Sequence, residues 1–77
     1  MKEFSLIQAK ENEEVAIVSL LVGQIATKRL ADMGLVSDTK IKILRKAPFG
    51  PIEIEVRGSK LVLGRGLAAK ILVKHYE

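Results

Sequence analysis

Side chains that could carry chemistry are few in this sequence of 77 residues, and they are scattered. His75 is the one histidine, and it lies near the end of the sequence, where a chain is poorly ordered unless other contacts hold it. No serine has a histidine close by in sequence or stands in a nucleophile-elbow motif. The string Gly64-Arg65-Gly66 lacks the Lys-Ser/Thr pair of a phosphate-binding loop. We therefore predict no catalytic residues and a protein that is not an enzyme.

Metal and cofactor sites are equally hard to build from these residues. Cysteine is absent, which excludes disulfides and thiolate metal sites. Glu11, Glu13 and Glu14 form a carboxylate cluster in a polar loop, but carboxylates in such a loop more often serve solvation than metal binding. We predict neither a metal site nor a cofactor.

Charge is distributed unevenly along the chain. Residues 1–27 contain two lysines and four glutamates, whereas residues 28–77 contain eleven basic and five acidic residues. A basic region of this size suits an acidic protein, a membrane surface or nucleic acid, or it serves solubility alone. Nucleic acid is disfavoured, because two Phe and one Tyr provide no array of aromatic platforms for bases.

One segment has the period of a helix. Ala26, Leu30 and Met33 recur at helical spacing with Ile25 beside them, which predicts a helix over about residues 23–33 with these residues as its apolar stripe. Gly34 follows where a helix commonly ends on a left-handed residue. Leu35 then folds back on Leu30 in a Schellman ending.

The remaining segments read as short strands joined by turns. Lys40–Ile43 and Ile52–Arg57 alternate apolar and polar residues, which predicts half-buried strands. Further strands are predicted at Phe4–Gln8, Val15–Leu21 and Leu61–Leu63, with a last one at Ile71–Val73. Turns are predicted at Ala47–Pro51, where Gly50 supplies a positive φ, and at Gly58-Ser59. A short helical turn is expected near residues 65–70, and the tail Lys74–Glu77 is expected to fray.

Such elements predict a single, mainly β domain over residues 1–77. Short strands with tight turns bury a core economically when the sheet curls into a small, partly open barrel. No apolar run reaches the length of a signal peptide or a membrane-spanning helix, so we expect a cytoplasmic protein.

Two places could present apolar surface to a partner. The first is the helix end around Met33, Gly34, Leu35 and Val36, and the second is Leu67 in the short helical turn. Either set could equally well seal one end of the barrel.

Several segments together resemble the FeoA family. The segment Lys28–Leu35 (KRLADMGL) followed by Thr39–Ile43 resembles the family's RL-x-x-MG-L…G-T-x-I-x-V core. The segment Pro48–Val56 resembles its P-x-G-x-P-I-x-I-x-V hairpin, and Leu61–Ile71 resembles its closing segment. The resemblance covers about residues 4–74. Asp38 departs from the family pattern, which has glycine at this position, and the loop before the second strand contains no glycine.

This resemblance implies an SH3-like β-barrel with an inserted helix and a role as an accessory protein of bacterial ferrous iron uptake. The partner that it implies is the FeoB-type permease, which carries a GTP-binding part on its cytosolic side. Residues expected at the contact are Arg29, Asp32, Met33, Gly34, Leu35 and Leu67. The alternative is a stand-alone regulatory or nucleic-acid-binding SH3-like barrel, and in either case we expect a monomer or a weak homo-oligomer.

Overall fold

The structure, a computed structural model, describes residues 2–76. Within this range the chain forms six strands and two α-helices. In chain order these are β1 (Phe4–Ser5), β2 (Glu14–Leu20), α1 (Gln24–Asp32), β3 (Lys40–Lys46), β4 (Ile52–Val56), β5 (Ser59–Leu63), α2 (Arg65–Ala68) and β6 (Ile71–His75). The predicted helix and the predicted helical turn are therefore both confirmed.

All six strands belong to one antiparallel sheet in the order β1-β6-β2-β3-β4-β5. The register shifts once between β2 and β6, near Val18, and once between β3 and β4, near Leu44. Each shift places an extra residue in one strand, which bends that strand and increases its twist. These two bends curl the sheet around a single apolar interior.

Residues in the interior come from every part of the described chain. The buried side chains of the core are Leu6, Ala9, Val15, Ile17, Leu30, Leu35, Ile41, Ile43, Ile52, Ile54, Val56, Leu63, Ala68, Ile71 and Val73. In β4 the burial follows the predicted alternation, because Ile52, Ile54 and Val56 point inward while Glu55 is exposed. Helix α1 contributes one fully buried side chain, that of Leu30.

Helix α1 ends in the Schellman motif that the sequence predicts. Gly34 has a φ of +92°, and its N–H donates to the Ala31 carbonyl oxygen at 2.9 Å. The Leu35 N–H donates to the Leu30 carbonyl oxygen at 2.9 Å. These two bonds satisfy carbonyl groups that a helix end leaves without partners. They also turn the chain so that Leu35 enters the core directly below the helix.

Two loops that lack the glycine of the family pattern adopt left-handed geometry all the same. Asp38, which replaces the usual glycine before Thr39, has a φ of +70°, and Asn12 in the loop before β2 has a φ of +69°. Asn and Asp tolerate this conformation because their short polar side chains bond locally. The departures from the family pattern therefore leave the backbone path intact.

The first predicted strand is wrong beyond Ser5. A capping box ends β1, because the Ser5 hydroxyl accepts the Ile7 N–H at 3.2 Å while the Gln8 side chain accepts the Ser5 N–H at 3.2 Å. The chain then forms a 3₁₀ turn over Leu6–Gln8, which buries Leu6. The alternation of apolar residues conceals this turn, because a 3₁₀ helix of three residues has no period of its own.

Both predicted hairpin turns need correction in detail. At the β3–β4 connection the positive φ belongs to Phe49 (+58°) and not to Gly50. At the β4–β5 connection the turn residues are Arg57 and Gly58, with φ values of +52° and +80°, so the predicted Gly58-Ser59 turn is shifted by one residue. Two successive positive φ values are typical of the type I′ hairpin turn.

The tail predicted to fray is ordered further than expected. Strand β6 continues through Lys74 and His75, which pair with Ala16 and Val15 of β2. Glu77, the last residue of that predicted tail, lies outside the described residues, as does Met1.

We expect Gly34→Val to destabilise the protein by about 1–2 kcal/mol or more, because a residue with a Cβ pays that cost in the left-handed conformation. A Cβ at Gly34 would also lie 3.3 Å from Cδ of Arg57. The free energy of unfolding, measured by urea denaturation, checks this expectation.

The matched pair Gly34→Ala and Gly64→Ala separates the cost of a left-handed backbone from the cost of replacing any glycine by alanine. Gly64 has a φ of −62° and no atom within 4 Å of a built Cβ. Its replacement should change stability by less than about 1 kcal/mol, because the N-cap preference for Gly over Ala and the lower entropy of the unfolded Ala chain oppose each other. Equal losses at the two positions would contradict the role that we assign to Gly34.

Candidate docking surface

Five of the six residues predicted to contact a partner lie at one end of α1. Arg29 and Asp32 are exposed on the helix, and Met33, its C-cap, is 44% exposed. Gly34 is buried and Leu35 is fully buried. The surface available at this end is therefore that of Arg29, Asp32 and Met33, while Gly34 and Leu35 set its shape from beneath.

The sixth predicted residue, Leu67, lies elsewhere. It is half-buried in α2 and packs against the core. Helix α2 is fastened to β1, because the Ser5 hydroxyl donates to the Ala69 carbonyl oxygen at 3.2 Å, and it contacts the 3₁₀ turn. Two grooves border α1, and Leu67 lines neither of them. The structure therefore does not bring Leu67 together with the Met33 end of the helix.

A groove runs between the end of α1 and the β4–β5 hairpin. Its volume is about 340 Å³. The lining residues are Asp32, Met33, Gly34, Val56, Arg57, Ser59 and Leu61. We call this groove the helix-end groove. Met33 and Leu61 give it apolar surface, and Asp32 and Arg57 give it one negative and one positive charge.

Sequence reasoning identified the helix wall of this groove and missed the hairpin wall. Val56, Arg57, Ser59 and Leu61 follow Met33 by more than twenty positions, and only tertiary packing brings the two segments together. A local signal for Arg57 was present in the adjacent Gly58, since Gly in a tight turn between two alternating segments indicates a hairpin. Nothing in the sequence places that hairpin beside α1.

Arg57 and Gly34 fit each other across this groove. Cδ and Nε of Arg57 lie 3.3 and 3.6 Å from the position that a Cβ on Gly34 would take. The arginine side chain therefore occupies space that any larger residue would fill. It also lies beside the C-terminal end of α1, where the helix dipole favours a positive charge.

The predicted apolar stripe of α1 is only partly correct. Leu30 is buried and Ala26 is half-buried, but Ile25 is 75% exposed and Met33 is also exposed. Ile25, Arg29 and Met33 follow one another at intervals of four residues, so they share a side of the helix. Helix α1 is too short and too peripheral to bury its whole apolar content, and one flank is left with apolar groups on either side of Arg29.

A second groove borders the opposite flank of α1. It measures about 280 Å³ and is mainly apolar. Its lining residues are Ser19, Leu20, Thr27, Ala31, Leu35, Val36 and Ser37. The helix therefore forms a ridge between two shallow grooves, and the larger of the two lies at the Met33 end.

The carboxylates of the loop before β2 each have a structural partner. Glu11 accepts the Lys46 N–H at 2.8 Å, and Glu13 accepts the Lys10 N–H at 2.9 Å. A second Glu13 oxygen lies 3.0 Å from Nδ1 of His75, whose ring centroid is 4.9 Å from that of Phe4. Among residues 2–76 no group of three or more His, Asp or Glu side chains could hold a metal ion.

Several cations of the basic region, residues 28–77, are engaged inside the protein. Nζ of Lys40 lies 3.8 Å from the Glu14 carboxylate, and Nζ of Lys60 lies 3.4 Å from that of Glu53. Nζ of Lys46 donates to the carbonyl oxygens of Ile7 and Ala9. These contacts tie β3 and β5 to neighbouring segments and leave a face that is less basic than its sequence indicates.

We expect Lys46→Met to lower the free energy of unfolding by about 1–3 kcal/mol, because the carbonyl groups of Ile7 and Ala9 would lose their donor. Lys42→Met on the same strand removes a side chain with no hydrogen bond or ion pair within residues 2–76, and it should change stability by less than about 0.5 kcal/mol. Urea denaturation of both variants measures the difference in the free energy of unfolding. Equal stabilities would refute a stabilising role for the Lys46 hydrogen bonds.

Neither α-helix within residues 2–76 is long and apolar enough to cross a bilayer.

Comparison with known proteins identifies the family to which this chain belongs. The family model described as the FeoA domain matches residues 4–75. The chain belongs to the FeoA family. A curated relative, named as an Fe(2+) transport protein A of Methanocaldococcus jannaschii, is 40% identical to this FeoA-family chain over 74 residues, which is 96% of this chain and 89% of the relative. FeoA proteins are accessory proteins of ferrous iron transport and are not a family of known enzymes.

Solved structures of FeoA proteins have the same fold. The crystal structure of an iron uptake regulatory protein, FeoA, superposes with a TM-score of 0.86 at 29% identity and covers 99% of this chain and 100% of that one. The solution structure of FeoA from Chlorobium tepidum superposes with a TM-score of 0.88 at 33% identity, over 96% of this chain and 71% of that one. These neighbours are SH3-like, so the predicted SH3-like barrel is confirmed.

A repressor shares the fold at greater distance. The manganese-activated repressor ScaR superposes with a TM-score of 0.84 at 23% identity, over 95% of this chain and 35% of the repressor. At that identity the likeness concerns the fold alone. The six predicted contact residues remain a prediction after these comparisons.

Proposed function

We propose that this protein is a non-catalytic accessory component of ferrous iron uptake that docks on the cytosolic, GTP-binding part of a FeoB-type permease and modulates it. Membership of the FeoA family supports the transport role. The observation that carries the docking role is the helix-end groove, where Met33 and Leu61 offer apolar surface beside the charged side chains of Asp32 and Arg57.

The shape and charge of this surface favour contact with a protein over binding of a small molecule. A small-molecule site is typically a deep, mainly apolar pocket that buries most of its ligand. The helix-end groove is instead shallow and carries opposite charges, and the side of α1 next to it exposes Ile25, Arg29 and Met33. Protein interfaces commonly surround a few apolar or arginine anchors with a polar rim.

The backbone on both sides of the groove is held by hydrogen bonds and a tight turn, which favours a preformed docking surface. The two Schellman hydrogen bonds fix the end of α1, and a two-residue turn closes the opposite hairpin wall. A surface that is already in its bound shape loses little conformational entropy on association. Docking should therefore leave the fold of this chain largely unchanged.

Met33→Glu should weaken binding to the cytosolic GTP-binding domain of the permease by about tenfold or more, since it places an uncompensated charge at an apolar contact. NMR titration of the labelled protein with that domain, in the presence and absence of guanine nucleotide, measures the dissociation constant and locates the contact. We expect the largest amide shifts at Arg29–Leu35 and in the β4–β5 hairpin.

Val62→Glu is the matched control. Val62 is 59% exposed on β5, and it faces away from the groove because it alternates with Leu61. This variant should bind within about twofold of the unmodified protein, as expected for a residue outside the contact. Absence of amide shifts at high concentration under either nucleotide condition would refute docking, and equal weakening by both variants would refute this docking surface.

A further inference from the structure

The most exposed apolar side chain in the described part of the chain is that of Phe49. It is 98% exposed, at the tip of the connection between β3 and β4. Its φ of +58° lies in the left-handed region, which is unfavourable for a bulky residue without a polar side chain. Neither its backbone conformation nor its packing stabilises the fold, and this combination makes Phe49 a candidate for a contact outside the domain.

The tip is held firmly although Phe49 itself packs on nothing. The Ala47 N–H donates to the Pro51 carbonyl oxygen at 3.2 Å, and the Gly50 N–H donates to the Ala47 carbonyl oxygen at 3.0 Å. Nη2 of Arg65, in α2, donates to the same Ala47 oxygen at 3.1 Å. Pro48 and Pro51 fix two further φ angles. The phenyl ring is therefore presented from a braced hairpin and not from a loose loop.

Apolar and basic residues occur together at this hairpin. Exposed Pro48, Phe49 and Pro51 form the apolar tip. The cationic residues next to the tip are Arg45, Lys46 and Arg65, and none of them belongs to an ion pair among residues 2–76. Arg45 is exposed, whereas Lys46 and Arg65 are half-buried and donate to the carbonyl oxygens of Ile7, Ala9 and Ala47.

The carboxylates near this base are already engaged. Glu11 accepts a backbone N–H of β3, and Glu53 is paired with Lys60. Glu11 keeps its negative charge, because a backbone N–H does not neutralise a carboxylate, but the three cations Arg45, Lys46 and Arg65 outnumber it.

We propose that the β3–β4 hairpin tip is a contact site for an anionic lipid surface, into which Phe49 inserts at the level of the headgroups. Phe is among the residues with which interfacial segments enter the boundary between headgroups and acyl chains, and nearby Lys and Arg side chains are attracted to anionic headgroups. A convex tip with one ring suits a soft lipid interface, whereas a protein partner would need a pocket of matching shape.

This site deepens the proposed function and rests on it for its biological setting. A single apolar anchor gives only weak, reversible membrane binding, and a second signal is needed for a stable association. Docking on a permease that is embedded in the membrane would supply that signal, because tethering raises the effective concentration of the tip at the lipid surface. The tip would then orient the protein on the permease.

The chain contains no tryptophan, which gives the test a clean reporter. In Phe49→Trp an indole replaces the phenyl ring at a position where nothing packs against it, and in the control Val62→Trp the indole lies on an exposed strand face. Each variant is mixed with vesicles of phosphatidylglycerol or of phosphatidylcholine, without any permease. We expect Phe49→Trp alone to show a blue-shifted emission and quenching by brominated lipid, with phosphatidylglycerol and at low salt.

Sedimentation with the same vesicles supplies a readout without tryptophan. We expect Phe49→Ser to bind phosphatidylglycerol vesicles roughly tenfold more weakly than the unmodified protein, because the apolar ring is removed from the interface. No change in indole emission with either lipid would overturn the proposal. In a separate sample without lipid, an indole shift of Phe49→Trp on addition of the permease's cytosolic domain would also overturn it, in favour of a protein pocket.

These outcomes are independent of those that test docking. The vesicle measurements contain no permease, so their failure leaves the docking titration unaffected. A failed titration would likewise leave a positive vesicle result standing, and it would remove only the setting in which the tip acts.

Discussion

The reversal of the chain at Gly34 is the constraint on which the rest of the structure depends. With a φ of +92°, Gly34 allows the Leu35 N–H to reach back to the Leu30 carbonyl oxygen, and both leucine side chains then enter the core. The same reversal directs the chain into β3, the strand that joins the two halves of the curled sheet. Because Gly34 has no side chain, Arg57 can approach the end of α1. The helix end, the core and the groove wall thus share one backbone conformation.

Sequence alone predicted the elements whose signal is local. The alternation in Lys40–Ile43 and Ile52–Arg57 was sufficient for two strands, and Gly34 was sufficient for the helix end. Prediction from the sequence failed where the pattern covered too few residues or where the structure depends on a segment distant in sequence. The capping box of Ser5 and Gln8 diverts an alternating segment into a 3₁₀ turn, and Phe49 takes the positive φ that glycine would adopt at lower cost. For the candidate site, the helix wall could be predicted, whereas the hairpin wall at Arg57 and Leu61 depends on the packed sheet.

Several charged residues in this protein serve as structural connections. Lys46 bonds to two carbonyl groups of the segment around the 3₁₀ turn, Glu11 binds the backbone of β3, and Glu13 approaches His75 at the end of β6. A chain this short buries a modest fraction of its surface, so polar contacts between segments distant in sequence add to a small core. This use of charge explains why counts of lysine and arginine overstate the basic surface that is available to a partner.

The pairing of β1 with β6 has a consequence for protein architecture. Phe4 lies opposite Val73, and the rings of Phe4 and His75 are in contact, so the backbone enters and leaves the barrel at the same edge of the sheet. A unit of this kind can be inserted into, or appended to, another polypeptide without disturbing the host, because its two connections meet at one point. The barrel can therefore serve as a domain within a longer chain. The same fold occurs in ScaR, where it makes up about a third of the chain.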